Sequence, residues 1–401
     1  MDTRYEKIRF WSLIILVGVS GFSQGMLLPL ISIIFEQDGV SSSMNGLNAT
    51  GLYLGILLIS PFMEIPLRKF GYKPLIMFGG LTVVCAFLLF PFLDSFWFWF
   101  ILRMIIGIGD HTLHFTTQTW ITAFTPMQRR GRNLAVYGLS FSLGFAAGPL
   151  LANLLEINRS LPFMVASSIS LLAWLTVFLL KNEHPEEDTE GASFLGTLRR
   201  FKRVAKYAWV AFLPPFGYGF LEASLNGNFP VYALRMDLDV QQVSLILPAF
   251  AIGSLVSQIP LGILSDTIGR KRVLLLVLTG GSATFLAAGY IEQSAVGLFA
   301  AIFIAGMFVG STFSLGMSYM TDLLPAQLLP AGNIIFGVVF SIGSISGPFF
   351  GGLAIQYMPN GNFLLILGLM LALVIIAVSL FQPKNETEKK GMQSSLELHP
   401  E

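Results

Sequence analysis

The chain has 401 residues and a net charge of +1, with 12% charged and 54% hydrophobic residues. Soluble domains carry about 25% charged residues, so this composition excludes them and indicates a membrane protein. The mixed charges form no basic field for nucleic acid, and a single cysteine, Cys85, excludes disulfide frameworks and Cys-based metal sites.

Apolar runs of about 20 residues, the length needed to cross roughly 30 Å of hydrocarbon, recur along the chain and predict twelve transmembrane helices. No small-residue cleavage site follows the first run, so we expect it to remain in the mature protein. The predicted spans are 10–34, 46–66, 73–93, 96–124, 133–156, 160–180, 207–234, 240–264, 272–291, 295–322, 331–356 and 362–381.

The positions of Lys and Arg predict the orientation, because basic residues in short loops stay on the cytoplasmic side. With both termini cytoplasmic, 21 of the 24 basic residues fall in cytoplasmic segments. Arg159 and Arg235 fall in outside loops, and only Arg103 lies within a span. We therefore expect a multi-pass protein of the plasma membrane, with the short loops favouring a bacterial source.

Landmark residues recur at a nearly constant separation of 198 or 199 positions, which indicates an internal duplication. The pairs are Gly71 and Gly269, Gly107 and Gly306, Pro126 and Pro325, Gly148 and Gly347, and Pro149 and Pro348. The predicted fold class is therefore an all-α membrane protein with two pseudo-symmetric six-helix bundles.

The duplication also predicts the domain organisation. We expect an N-terminal bundle over 1–180, a cytoplasmic linker over 181–206, a C-terminal bundle over 207–381 and a disordered cytoplasmic tail over 382–401. The linker begins acidic and ends as a basic amphipathic stretch, which we expect to lie along the inner leaflet. The tail is polar throughout, which favours disorder.

Span four carries the first intramembrane charges. At 100° per residue, Arg103, Asp110, His114 and Gln118 fall on one polar stripe, with His111 at its margin. Glu222 lies near the middle of span seven, with Tyr218 and Asn226 on its face. Charge at the bilayer centre is costly unless it faces protein or water, so these groups are candidate functional residues.

Proton coupling needs a carboxylate whose pKa can change between dry and wet surroundings. We predict that Asp110 carries the coupled proton, tuned by Arg103 and His114, and that Glu222 is a second titrating or substrate-binding acid. The alternatives are that Arg103 and Asp110 only neutralise each other and that His114 is a neutral packing residue. Substrate contacts are predicted for the polar residues facing the same cavity: Gln24, Gln118, Tyr218 and Asn226.

Two loops at equivalent positions differ in charge. In "PLGILSDTIGRKR", Gly262, Asp266, Gly269, Arg270 and Lys271 form a charged turn between spans eight and nine. Its counterpart, "MEIPLRKFGYKP", has Glu64 and Arg68 in place of the first glycine and the acid, and these two could pair along one helix face. Glu64 and Asp322, at cytoplasmic helix ends, are expected to have gating or structural roles.

The glycine, acid and bases of the second loop closely resemble the signature loop of the major facilitator superfamily, and the resemblance covers the whole chain. It implies a transporter whose halves rock about a central cavity lined by spans one, four, seven and ten. It also implies a conformational latch formed by Gly262, Asp266, Gly269, Arg270 and Lys271. The alternative is that these bases only set the topology.

Two further stretches resemble motifs of this family. Arg103-x-x-x-Gly107-x-Gly109 looks like its span-four arginine motif, which is associated with proton coupling, although Ile106 replaces the usual polar residue. A glycine and proline pattern in spans five and eleven resembles that of the drug:proton antiporter branch, although the span-five copy ends in Ala152 and Asn153. Close helix packing explains such glycines equally well. The pattern comprises Gly144, Gly148 and Pro149, and Gly343, Gly347 and Pro348.

The sequence therefore predicts a proton-coupled secondary transporter, an exporter of amphipathic or drug-like molecules, and not an enzyme. Two alternatives are a proton-coupled sugar or metabolite transporter and a flippase for a lipid-linked molecule. A sensor is disfavoured because no large soluble extension is present. The expected partners are a small-molecule substrate, protons and membrane lipid, without nucleic acid, metal or cofactor, and we expect a monomer.

Overall fold

The computed structural model describes residues 3–125, 127–185, 194–292, 294–325, 328–358 and 362–381. Within these residues the chain is all-α. The helices of the first half are α1 (Thr3–Gln37), α2 (Ser42–Ile59), α3 (Glu64–Phe70), α4 (Tyr72–Leu89), α5 (Phe96–Phe124), α6 (Met127–Ala147) and α7 (Leu161–Leu175). Short 3₁₀ segments extend several of them, including Gly148–Glu156 after α6 and Thr176–Leu179 after α7.

Helix α8 (Phe194–Ala208) lies in the linker, where a basic amphipathic stretch was predicted. The helices of the second half are α9 (Leu213–Gly227), α10 (Phe229–Arg235), α11 (Val240–Ile268), α12 (Arg270–Ala288), α13 (Ala295–Val309), α14 (Thr312–Leu323), α15 (Leu329–Tyr357) and α16 (Phe363–Leu380). Residues 186–193 of the linker and the whole predicted tail, 382–401, lie outside the described residues. The contact of α8 with the inner leaflet stays a prediction.

Nine helices in the described part of the chain are long and apolar enough to cross a membrane, and a tenth is added if the bent pair Ser42–Phe62 and Glu64–Phe70 is one span. The predicted count of twelve is not reached by this measure. The other two predicted spans are helical but do not meet this measure. Helix α5 is continuous but carries the polar side chains of Arg103, Asp110, His111 and His114 within its apolar run, and the seventh span is divided into α9 and α10 at Asn228.

The internal duplication is visible in the packing of the helices. In the first half α1 packs against α6, α2 against α5, and α4 against α5 and α7. In the second half the corresponding contacts join α9 to α15, α11 to α13, and α12 to α13 and α16. The same pairs recur in both halves, so the molecule consists of two pseudo-symmetric bundles.

The two ends of the bundle differ in charge. We call the end with Arg9, Lys73, Arg270 and Lys271 the basic end, and the end with Glu36, Asp38, Asp94 and Glu292 the acidic end. Lys73 and Arg270 stand at helix starts that follow turns made by Gly71 (φ +82°) and Gly269 (φ +97°), where only glycine is unstrained. Exposed leucines such as Leu172 and Leu373 cover the outer surface, as expected for contact with lipid.

The contacts between the halves lie towards the acidic end. There α2 packs against α15, and α11 packs against α6 and the 3₁₀ segment that follows it. A Cβ on Gly46 would lie 2.1 Å from the carbonyl oxygen of Pro348, so the α2 and α15 backbones are in direct contact. The halves are therefore closed against each other at the acidic end.

Polar contacts between the halves reinforce this closure. Arg235 pairs with Glu36 at 2.7 Å, and the hydroxyl of Ser244 donates to Oδ1 of Asn153 at 2.8 Å. The backbone N–H of Ser43 donates to Oε1 of Gln356 at 3.1 Å. An opening of the acidic end requires all of these contacts to break.

Candidate functional site

The polar side chains along one side of α5 contact different neighbouring helices. Arg103 is fully buried, and its Nη2 donates to the carbonyl oxygens of Leu27 and Leu28 in α1, at 3.2 and 3.4 Å. Its Nε and Nη1 atoms are buried and find no hydrogen-bond acceptor among the described residues. Arg103 thus anchors α5 to α1 and retains donor capacity in the interior.

Glu222 of α9 lies where the two halves meet. Its carboxylate is hydrogen-bonded to Tyr218, one turn earlier on the same helix. Tyr53 of α2 lies close enough to interact electrostatically with both Glu222 and Arg103. Three elements, α2, α5 and α9, therefore bring an arginine, a tyrosine and a carboxylate together, and one of the three belongs to the opposite half.

An aromatic cluster adjoins this carboxylate. The ring of Tyr218 lies 6.2 Å from those of Phe313 and Phe340, and Phe313 lies 5.0 Å from Phe336. Tyr218, Phe313 and Phe340 are partly exposed, whereas Phe336 is fully buried. A partly accessible aromatic surface beside a carboxylate can bind apolar and cationic groups of one small molecule.

Asp110 has different surroundings from Glu222. It lies in a small cavity of the first half, between α1, α4, α5 and α7, and is 1% exposed. Its Oδ1 accepts a hydrogen bond of 2.9 Å from Ser20. Arg103 and Asp110 thus each have their own partners, and the proton-carrying role of Asp110 stays a prediction.

The two histidines of α5 are hydrogen-bonded to other helices. Nδ1 of His114 lies 3.1 Å from the Tyr137 hydroxyl of α6, and its ring also packs against Phe141. Nε2 of His111 lies 2.9 Å from the Ser60 hydroxyl at the end of α2. These contacts are compatible with His114 as a neutral packing residue and with His114 as a group that tunes Asp110. The second role stays a prediction.

The other predicted substrate contacts are dispersed. Gln24 is partly exposed, and Gln118 is exposed near the basic end. Asn226 donates to the carbonyl oxygen of Glu222 at 2.8 Å and lines a second cavity between α6, α9 and α11. Only Tyr218 shares a site with Glu222, and the substrate roles of all four stay predictions.

The predicted latch loop is held within the second half. Arg270 pairs with Asp322 at 2.7 Å and donates to the carbonyl oxygen of Ser318, while Lys271 donates to that of Phe381. The Asp266 side chain is 72% exposed, 3.9 Å from Arg270. Gly262 and Gly269 have open space where a Cβ would stand. A latch between the halves therefore stays a prediction.

The glycines of spans five and eleven lie at close helix contacts. A Cβ on Gly144 or Gly148 would lie within 2.5 Å of the α1 backbone. A Cβ on Gly343 or Gly347 would lie within 2.4 Å of the α9 backbone. These four positions therefore require glycine for packing. Pro149 and Pro348, by contrast, lie where the halves meet.

Sequence reasoning missed Tyr53, and it missed Ser23 and Ser170 beside Asp110. Tyr53 stands alone as a polar side chain in the apolar run "GLYLGILLI", which was a readable signal. Ser23 and Ser170 carried no such signal, because a serine in a membrane helix can bond to its own backbone. Among the described residues, no group of three or more His, Cys, Asp or Glu side chains could hold a metal ion.

Comparisons with family models and with individual proteins point to the same family. The family model described as Major Facilitator Superfamily matches residues 13–246 and 216–397. The chain is 54% identical to the uncharacterized MFS-type transporter YfkF of Bacillus subtilis (strain 168), over 97% of this chain and 100% of that protein. It is 22% identical to Multidrug resistance protein 2 of the same organism, over 92% and 95% of the two chains.

Two solved structures share the fold. The nucleoside transporter NupG aligns with a TM-score of 0.77 at 14% identity, covering 93% of this chain and 100% of that chain. A bacterial homolog of the human lysosomal transporter Spinster, in an inward-facing and unoccupied conformation, aligns with a TM-score of 0.69 at 15% identity, covering 94% and 92%. At these identities the likeness concerns the fold alone.

Proposed function

Because the chain belongs to the major facilitator superfamily, and is therefore a secondary transporter of the bacterial cell membrane and not an enzyme, we propose that it exports amphipathic, drug-like molecules in exchange for protons. The observation that carries this proposal is Glu222, a partly exposed residue at the meeting of the two halves, whose carboxylate is bonded to Tyr218 beside the rings of Phe313 and Phe340. Such a surface suits a substrate with a flat apolar body and a polar or cationic group.

The coupling mechanism follows from the position of Glu222. It lies near Tyr53, and through Tyr53 near Arg103, while the halves are closed at the acidic end. When the halves separate there, α9 moves away from α2 and α5, and the carboxylate exchanges protein neighbours for water. Its affinity for a proton therefore differs between the two states, which is the requirement for coupling.

Export of drug-like molecules is supported by two sequence resemblances. The Gly343, Gly347 and Pro348 pattern resembles that of drug:proton antiporters, and a relative with 22% identity is named a multidrug resistance protein. The direction also rests on the predicted orientation, in which the acidic end faces outwards. The closed acidic end is then an inward-facing state, ready to receive substrate from the cytoplasm.

Transport in proteoliposomes with an imposed pH gradient tests the proposal. We expect a lipophilic cationic dye to be moved against its gradient by the wild-type protein, and Glu222→Gln to lower this transport at least tenfold. Glu6→Gln is the matched control, since Glu6 is exposed near the start of α1, and it should retain transport. Gradient-driven transport that is unchanged in Glu222→Gln would contradict the proposed proton coupling.

A further inference from the structure

The cavity at Asp110 is separate from the region around Glu222. Its walls come from α1, α4, α5 and α7, all in the first half, and it has room for about one water-sized particle. Four oxygen-bearing side chains line it: Ser20, Ser23, Asp110 and Ser170. The remaining walls are apolar, apart from Trp174, whose indole N–H already donates to the carbonyl oxygen of Met77 at 2.9 Å.

Three of the cavity's polar side chains have oxygens with no hydrogen-bond partner among the described residues. These atoms are Oδ2 of Asp110, Oγ of Ser23 and Oγ of Ser170. All three residues are at least nine-tenths buried, with exposures of 1%, 1% and 7%. Buried polar atoms in native proteins are nearly always satisfied, so three such oxygens around one small cavity indicate an occupant.

The charge of the cavity defines that occupant. Asp110 is the only charged residue among those lining it. Of the other ionisable groups on α5, Arg103 donates to backbone carbonyls of α1, and His111 and His114 bond to Ser60 and Tyr137. A buried carboxylate is stable in its ionised form only with a compensating charge. A cation with one positive charge that takes oxygen ligands would supply that compensating charge.

We propose that this cavity is a binding site for a small monovalent cation, Na⁺, held by the carboxylate of Asp110 and the hydroxyls of Ser20, Ser23 and Ser170. A single carboxylate balances a single charge, whereas calcium and magnesium take several oxygen ligands with more than one carboxylate or water. The Ser20 hydroxyl uses its hydrogen for Asp110 and keeps lone pairs for the cation. The small cavity favours Na⁺ over larger alkali ions.

Bound Na⁺ would join α1, α5 and α7, because each of these helices contributes an oxygen. The site therefore stabilises the first half and does not depend on substrate. It goes beyond the transport activity proposed above, since no group near Glu222 takes part in it.

Thermal unfolding of the purified protein in detergent tests the site. We expect NaCl to raise the midpoint by several degrees in a saturable way, as for any ligand that binds only the folded state, relative to KCl and choline chloride at equal ionic strength. Asp110→Asn should abolish the sodium effect, and Ser170→Ala should weaken the apparent affinity at least tenfold. Binding of radioactive ²²Na⁺ should saturate at one ion per chain.

Two controls make the result specific. Ser168→Ala alters an exposed serine of the same helix, whose hydroxyl bonds to its own backbone, and it should keep the full sodium effect. Glu222→Gln should keep it as well, so a failure of the transport proposal is distinguishable from a failure of this one. Equal midpoints in all three salts, as a structural water would give, would overturn the proposal, as would an unchanged sodium effect in Asp110→Asn.

Discussion

The basic ends of the two halves share a framework at equivalent positions. Lys73 and Lys271 each follow a glycine turn and donate to a carbonyl oxygen after the last span of their own half, Leu180 and Phe381, both at 2.6 Å. Helix C-termini carry unsatisfied carbonyls and a partial negative charge, which a lysine compensates. The lysine contact with the end of the last span is therefore retained in both halves of the duplication.

The neighbouring position has changed. In the second half Arg270 forms an exposed ion pair with Asp322. Its first-half equivalent is Tyr72, which stacks on Trp120 with 5.1 Å between ring centroids. The indole N–H of Trp120 donates to Glu183 at 2.8 Å.

Glu183 is the centre of the first-half arrangement. It accepts two hydrogen bonds from Nη1 of Arg9, at 2.5 and 2.6 Å, and its backbone carbonyl accepts one from the N–H of Tyr72. The Arg9 side chain is only 9% exposed and also lies over the ring of Phe124. A cluster that joins α1, α4, α5 and the start of the linker thus replaces a simple ion pair.

Replacement of the two acids tests this difference most strongly. Glu183→Ala leaves the buried donors of Arg9 and Trp120 without their acceptor, and we expect a loss of about 2–3 kcal/mol in the free energy of unfolding. Asp322→Ala removes an exposed ion pair and should cost less than about 1 kcal/mol. Thermal unfolding of the two variants in the same detergent measures both. Equal losses would show that the two ends do not differ.

The two lysines provide the intermediate test, on the shared part of the framework. Lys73→Met and Lys271→Met each remove one charged donor from a helix C-terminus, and we expect similar losses of about 0.5–1 kcal/mol. The measurement is again the unfolding midpoint, with Lys69→Met as the control because Lys69 is exposed at the end of α3. A loss in one half only would indicate that the framework is not shared.

Much of the fold was predictable from the sequence, because hydrocarbon imposes a length and an apolar composition on each span. The duplication was readable from glycines and prolines, whose backbone roles at turns and close contacts tolerate few substitutions. The division of the seventh span at Asn228 was missed, although "NGNFP" within it contains Asn, Gly and Pro, which disfavour a helix interior. Composition alone does not show where a helix breaks.

The site was predicted less well, for a geometric reason. Helical periodicity places Arg103, Asp110 and His114 on one side of α5, but it does not show which neighbouring helix each of them contacts. Asp110 meets Ser20 of α1, whereas His114 meets Tyr137 of α6. Glu183 was equally unreadable, because an acid in an acidic linker has no sequence mark that distinguishes a buried partner from a solvated charge.

The smallest expected effect concerns the inverted charges of the first-half loop. Glu64 and Arg68 pair at 2.5 Å on α3, as predicted, but both side chains are exposed, at 68% and 45%. Exposed pairs four residues apart contribute about 0.3–0.5 kcal/mol, and salt screens them. We therefore expect Glu64→Gln to lower the unfolding midpoint slightly in low salt. The effect should disappear in roughly 0.5 M KCl, because concentrated salt shortens the Debye length, to about 3 Å at 1 M.

This measurement distinguishes two explanations for the inverted charges of the first-half loop. If the pair only replaces the local contact between Asp266 and Arg270, Glu64→Gln and Asp266→Asn should have equally small, salt-sensitive effects on unfolding. A loss in Glu64→Gln that persists in high salt would instead show that the first-half loop contributes to the same buried network as Glu183. In that case the first half would differ from the second over the whole basic end and not only at Tyr72.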